Sequence, residues 1–187
     1  MNKRTEYING LIKEHGFSSY LEIGLGDGNN FREVDCKIKL GVDPQVKSTY
    51  MSLVKKSSDD FFSSWLKTNE VFDIIFIDGL HHADQVERDI VNAWNCLNKG
   101  GIILIHDIKP HTFEMQQVPR IQTVWTGDVW RAWNGLKINT KLKLDYWDDQ
   151  YGLGIIHKSR HKLELGFLDM DTTFEDYKAN EGWLIKN

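Results

Sequence analysis

At 187 residues the chain has the length of one domain with one core, able to bury roughly 70% of its unfolded surface, and no second domain is expected. Its 23 Lys and Arg against 27 Asp and Glu give a net charge of −4, which argues against a groove that tracks nucleic-acid phosphates. Two cysteines, Cys36 and Cys96, in no C-x-x-C spacing, and no apolar run near the roughly 18 residues of a membrane span make a soluble, cytoplasmic protein the expectation.

In chain order, the first strand is expected at 20–23 and runs into Gly24, Gly26 and Gly28, a turn in which bare backbone can approach a ligand closely. A second strand at 38–42 ends at Asp43, about 20 residues beyond the glycines, where an acid accepts hydrogen bonds from a ribose diol. Pro44 stops that strand. The run Ser57-Ser58-Asp59-Asp60-Phe61-Phe62 opens a helix, with Asp59 as a candidate N-cap. The apolar run 72–77 delivers Asp78, Gly79, His81 and His82 to its carboxyl end. Val86, Ile90, Trp94 and Leu97 then recur at helical spacing, with Asp84 and Glu87 as a capping box and Gly100-Gly101 as the stop. Strand 102–105 delivers His106 and Asp107, and a last strand is expected at 154–157.

These strands are apolar without alternation and are separated by amphipathic stretches. The pattern predicts an α/β Rossmann-like, doubly wound, mostly parallel sheet with helices on both faces, in a single domain. Ligands of such sheets bind outside the carboxyl ends of the strands. Residues 109–123, without period and holding Pro110 and Pro119, read as a candidate lid. In the following segment Trp130 and Trp133 share a helical face beside Asp128 and Arg131, a set suited to a flat or sugar-like hydroxylated acceptor. Asp128, Arg131 and Trp130 are the candidate acceptor residues. The extension 160–187 carries Phe167, Phe174, Tyr177 and Trp183, aromatic enough to dock on the body.

The acid-x-G-x-G-x-G run at Glu22 resembles the first motif of class I S-adenosylmethionine-dependent methyltransferases. Asp78-Gly79-Leu80-His81 and Gly100-Gly101 through His106-Asp107 resemble the branch with D-G-x-H and G-G-x-x-x-x-H-D elements, over residues of about 18–157. The resemblance implies methyl transfer to an acceptor oxygen of a small molecule or glycan. It places Glu22 near the cofactor's methionine amine and Asp60, with Phe61 beside it, at the adenine. Asp78 and Asp107 match positions that hold a divalent cation in catechol-type and some sugar and macrolide O-methyltransferases. His106 stands where the catechol-type pattern has another acid and joins Asp78 and Asp107 as a candidate metal ligand, so Mn²⁺ is an option beside Mg²⁺. Without an ion, Asp78 and Asp107 would instead hydrogen-bond the cofactor, the acceptor or a helix end. The candidate bases are His81, the strict D-G-x-H match, His82, one residue further, and His106. A nicotinamide-dependent oxidoreductase is the enzymatic alternative, disfavoured by Asn29 where a dinucleotide fingerprint has its last glycine. A cofactor-binding module without transfer activity is the other, and a homo-oligomer is left open.

Overall fold

Each parallel strand of this chain sends alternate side chains to opposite faces, and both faces find a helical partner. The computed structural model describes residues 2–47, 52–148 and 150–185. Its strands are β1 (Ser19–Ile23), β2 (Ile38–Val42), β3 (Leu53–Val54), β4 (Phe72–Ile77), β5 (Leu97–His106), β6 (Leu144–Trp147) and β7 (Leu153–His157). They form one seven-stranded sheet in the order β3-β2-β1-β4-β5-β7-β6. The first five are parallel, and β7 runs antiparallel to both β5 and β6.

Leu21 and Ile23 of β1, Ile75 and Ile77 of β4, and Ile103 and Ile105 of β5 enter one core with helices α3 (Ser58–Trp65), α4 (Ala83–Asn95) and α5 (Trp130–Asn139). Their sequence neighbours Tyr20, Ile74, Phe76, Ile102 and Leu104 enter a second core with α1 (Lys3–His15) and α2 (Asn29–Glu33). The sheet is therefore covered on both faces, as its unbroken apolar runs require. A short helix α6 (Phe174–Ala179) closes the C-terminal segment.

The expected doubly wound α/β sheet is present, with two strands that were not anticipated. β3 is only two residues long, and β6 is an edge strand whose residues are half-buried or exposed. The expected end of α4 is corrected: the helix stops at Asn95, Leu97 already belongs to β5, and Gly100 and Gly101 lie inside that strand. A Cβ at Gly101 would stand 2.6 Å from the Asp73 carbonyl oxygen, so close strand approach, not a helix stop, explains that glycine. Glu87 does not close a capping box either. Its carboxylate Oε1 accepts from the backbone N–H groups of Gly166, Phe167 and Leu168 at 2.8, 2.7 and 3.2 Å, fastening the C-terminal segment to α4.

The first helix was not foreseen, although its signals are present. The Asn2 side chain accepts from Thr5 N–H, Ile8, Leu11 and Ile12 recur on one face, and left-handed Gly16 ends it. The aromatic tail docks as expected: Phe167, Phe174 and Tyr177 are buried, and the Tyr177 hydroxyl donates to the Ile108 carbonyl at 2.7 Å. No helix among the described residues is long and apolar enough to cross a membrane.

Candidate active site

The chain leaves β1 for β2 on one side of the sheet and reaches β4 on the other, so the order reverses between β1 and β4. A crevice opens where strand order reverses in this way. Here it is a cavity of about 820 Å³.

Gly24, Gly26 and Gly28 all have positive φ, yet they serve different ends. A Cβ on Gly24 would lie 2.1 Å from the Asp78 carbonyl oxygen, so Gly24 lets the ends of β1 and β4 meet. Nothing lies within 4 Å of a Cβ placed on Gly26, which borders the cavity, and Gly28 starts α2. Asp43 lines the same cavity, held against the glycine turn. Its two oxygens accept from Leu25 N–H at 3.0 Å and Gln45 N–H at 2.6 Å, which holds the carboxylate at the cavity edge.

Glu22 lines the same cavity and is almost fully buried. It accepts from the Tyr20 hydroxyl and, at 2.9 Å, from Asn30 Nδ2. Burial drives its pKa up to about 7, against the lowering effect of those two hydrogen bonds and of Arg4, with Asp78 adding to the rise. The Thr5 hydroxyl of α1 lies 2.9 Å from both Asn30 Oδ1 and Asn2 Oδ1, extending the network into the first helix.

Two of the expected cofactor residues are placed elsewhere. Asp60 is engaged with the N-cap of α3: the Ser57 hydroxyl accepts from Asp60 N–H at 3.1 Å and donates to Asp60 Oδ2 at 2.8 Å. Phe61 is packed in the core against Phe62 and Trp65. Ser57, Ser58 and Gln85 line that end of the cavity in their stead. The Gln85 side-chain amide is held by Ser58, Asp59 and Asp89 at 3.1–3.2 Å.

A second cavity, about 320 Å³, shares Arg4, Asp78, His81 and Trp125 with the first. Its floor is the acidic centre expected from the two strand ends. One ligand atom each from Asp78, His81 and Asp107 lies within 4.8 Å of the others. His81 Nδ1 stands 3.2 Å from Asp107 Oδ2, and its Nε2 stands 3.4 Å from Asp78 Oδ1. His106 Nδ1 is 3.3 Å from Asp78 Oδ1 and 3.2 Å from Asp107 Oδ1. Although burial opposes ionisation of Asp78, His106, His81 and Arg4 together hold its carboxyl well below the usual range. Burial likewise works against a charged His81, but the two carboxylates and the Trp125 carbonyl carry its pKa above the ordinary value. Asp107 is held at φ 64°, a left-handed conformation that Asp tolerates better than most residues and that turns its side chain off the end of β5.

The segment after the 3₁₀ turn at Glu114–Gln116 walls this centre. Trp125 stacks on His81 with ring centroids 5.2 Å apart, and a Cβ on Gly127 would lie 1.8 Å from the His81 carbonyl oxygen. His82 meets Trp125 edge-on but borders neither cavity; it is the N-cap of α4.

The expected acceptor set is corrected. Asp128 accepts from Ala83 N–H at 2.7 Å, capping α4 from a distant segment. Arg131 donates to the carbonyls of Asp169 and Thr172 and lies over the Trp130 ring, which ties down the C-terminal segment. Trp130 and Trp133 are completely buried, so neither offers a face to a sugar. Polar groups between aromatic residues had a structural use, and a sequence does not distinguish a distant cap from a ligand contact. Arg4 and Trp125 were missed; only the N-cap pattern that marks α1 hinted at the former.

Residues 16–108 match the family described as Methyltransferase domain. No curated protein matches the sequence significantly. Among solved structures, a provisionally assigned caffeoyl-CoA O-methyltransferase from Staphylococcus aureus superposes with a TM-score of 0.63 at 14% identity, covering 85% of this chain and 84% of its own. An O-methyltransferase from Bacillus cereus, solved with SAH, gives 0.61 at 12% identity, covering 84% and 82%. MycE of the mycinamycin pathway, solved with Mg, SAH and mycinamycin VI, gives 0.57 at 13% identity, covering 88% of this chain and 51% of MycE. Such distant likenesses speak to the fold, and they agree with the matched segment, which spans β1 to the end of β5 and with them every strand end that bears on the two cavities. Residues 16–108 thus belong to the methyltransferase domain family, and the fold that frames them is that of the class I S-adenosylmethionine-dependent methyltransferases.

Proposed function

We propose that the protein moves the methyl group of S-adenosylmethionine to an oxygen of a small-molecule acceptor, with a divalent cation at Asp78, His81 and Asp107. The observation that carries this reading is the meeting of two cavities at that centre. The larger takes the cofactor, with Glu22 toward its amine, Asp43 toward its ribose, and Ser57, Ser58 and Gln85 at its base. The smaller takes the acceptor. The solved relatives crystallised with SAH support the cofactor, and MycE with Mg supports the ion.

The donor set fits such an ion. Neighbouring ligands on an octahedral cation with bonds of about 2.1 Å stand about 3 Å apart, close to the 3.2 and 3.4 Å between His81 and the two carboxylates. An imidazole among two carboxylates favours Mn²⁺ over Mg²⁺. When bound, the cation would act as a Lewis acid toward the acceptor oxygen. The chain's own part is alignment and proton handling. The donor's sulfonium already activates the methyl carbon, so most of the gain comes from holding donor and nucleophile in line. His106, with Nδ1 against both carboxylates and its ring on the wall of the smaller cavity, is the imidazole that takes the acceptor's proton. Trp125 and Tyr151 give that cavity aromatic walls, and the exposed Val124 lies at its edge, so a flat, partly apolar acceptor fits better than a glycan.

The test is transfer of labelled methyl groups to pools of hydroxylated small molecules, with Mn²⁺ or EDTA. Label should appear in an acceptor with Mn²⁺ and vanish in Asp107→Ala, while titration shows SAH still bound. SAH binding without transfer to any pool would favour a non-catalytic module, and no SAH binding would sink the reading altogether.

A further inference from the structure

Among the described residues Arg4 is the one guanidinium that lines both cavities, and methyl transfer as set out above gives it no task. Its position is well defined. Nη1 stands 3.3 Å from Asp78 Oδ2 and 3.1 Å from each ring nitrogen of His106, and the guanidinium lies over the Phe76 ring, 5.2 Å from its centroid. Its Nε is buried with no hydrogen-bond partner among the described residues. Leaving a donor in that state costs free energy, so the placement has to be favoured by what the charge meets at the acids. Asp78 divides its oxygens accordingly: Oδ2 goes to Arg4, while Oδ1 faces both imidazoles.

An arginine keeps its charge at any working pH. Resting on the metal-assisted reading, we infer that Arg4 is a built-in counter-charge that sets the cation affinity of the centre and couples it to the acceptor. It offsets one of the two carboxylates, leaving a single net negative charge to face a doubly charged ion. An ionised acceptor oxygen restores the second negative charge, so the centre holds its cation weakly alone and firmly with acceptor in place. Arg4 thus tunes the centre from the first helix, acting on the ion through Asp78 and through space.

Mn²⁺ binding, followed by loss of the free-ion EPR signal, tests this without an acceptor, with SAH titration and circular dichroism as checks on folding. Arg4→Gln should bind Mn²⁺ about 10- to 100-fold more tightly than wild type, the range by which groups behind metal ligands shift affinity. Arg4→Lys should stay close to wild type, and Arg4→Met serves as the charge-free variant if Arg4→Gln does not fold. A charge-free variant that binds Mn²⁺ no tighter, or a Lys variant as tight as the Gln variant, overturns the proposal. Asp107→Asn separates the two levels: if it binds Mn²⁺ as wild type does, the ion sits elsewhere and the metal-assisted reading fails with the proposal, while intact SAH binding leaves the cofactor assignment standing.

Discussion

Glu22 combines near-complete burial with a place on the cofactor cavity, and that conflict makes it a pH-dependent residue. With a folded pKa of about 7 against an ordinary 4.5, the native state keeps a proton that the unfolded chain releases between those values. Stability is therefore greatest below about pH 4.5 and falls as pH rises to about 7, by roughly 3 kcal/mol from this group. Denaturant melts of wild type and Glu22→Gln across that window should show the decline in the former and a flatter profile in the latter. A cationic amine beside Glu22 would favour the carboxylate. SAH should then bind more tightly as pH rises from 6 to 8 and release up to one proton, measured by calorimetry in buffers of different ionisation enthalpy. Glu22→Gln should lose that proton release and bind about tenfold more weakly; an unchanged proton count in the variant would move the amine away from Glu22.

At the scale of elements, two contacts of near-zero tolerance bring the centre together. Gly24 joins the ends of β1 and β4, and Gly127 seats the 125–128 segment on the backbone of His81. Either glycine replaced by Ala puts a Cβ into a carbonyl at positive φ, and each substitution should cost at least about 2 kcal/mol in a denaturant melt. Asp128→Ala should cost about 1 kcal/mol through the lost cap on α4, with Asn retaining most of it. The parallel strands and the acids at their ends were legible in the sequence because a strand end is a local event: an apolar run, a glycine or proline, and a carboxylate within a few residues. Asp43, Asp78 and Asp107 were picked out that way, and each lines one of the two cavities. Arg4 was not, since its partner His106 lies 102 residues away and nothing local marks the pairing. Asp60 and Asp128 were misjudged for the complementary reason, because capping and ligand binding ask for the same residue types. Between the two histidines of the D-G-x-H run, only the packing of Trp125 and the two carboxylates shows that His81 faces the centre.

On the scale of the whole molecule, the C-terminal segment is part of the core rather than an appendage. Phe167 and Leu163 pack into the larger core, Arg131 binds the segment from α5, and Glu87 holds three of its amides. Glu87→Ala leaves those amides without their charged acceptor and should lower stability by about 3 kcal/mol, read from the midpoint of a urea melt at constant slope. The first helix is bound differently. It reaches the larger cavity through Asn2 and the Thr5–Asn30–Glu22 network, and both cavities through Arg4. A thirteen-residue helix has little stability of its own. Its opening is therefore tied energetically to whatever occupies the two cavities, and its amide protons become a reporter of occupancy. Deuterium uptake across α1 should slow when SAH is added and slow further when an acceptor joins it. The helix that a reader of the strand pattern would pass over is the one whose breathing would reveal a true substrate in a screen.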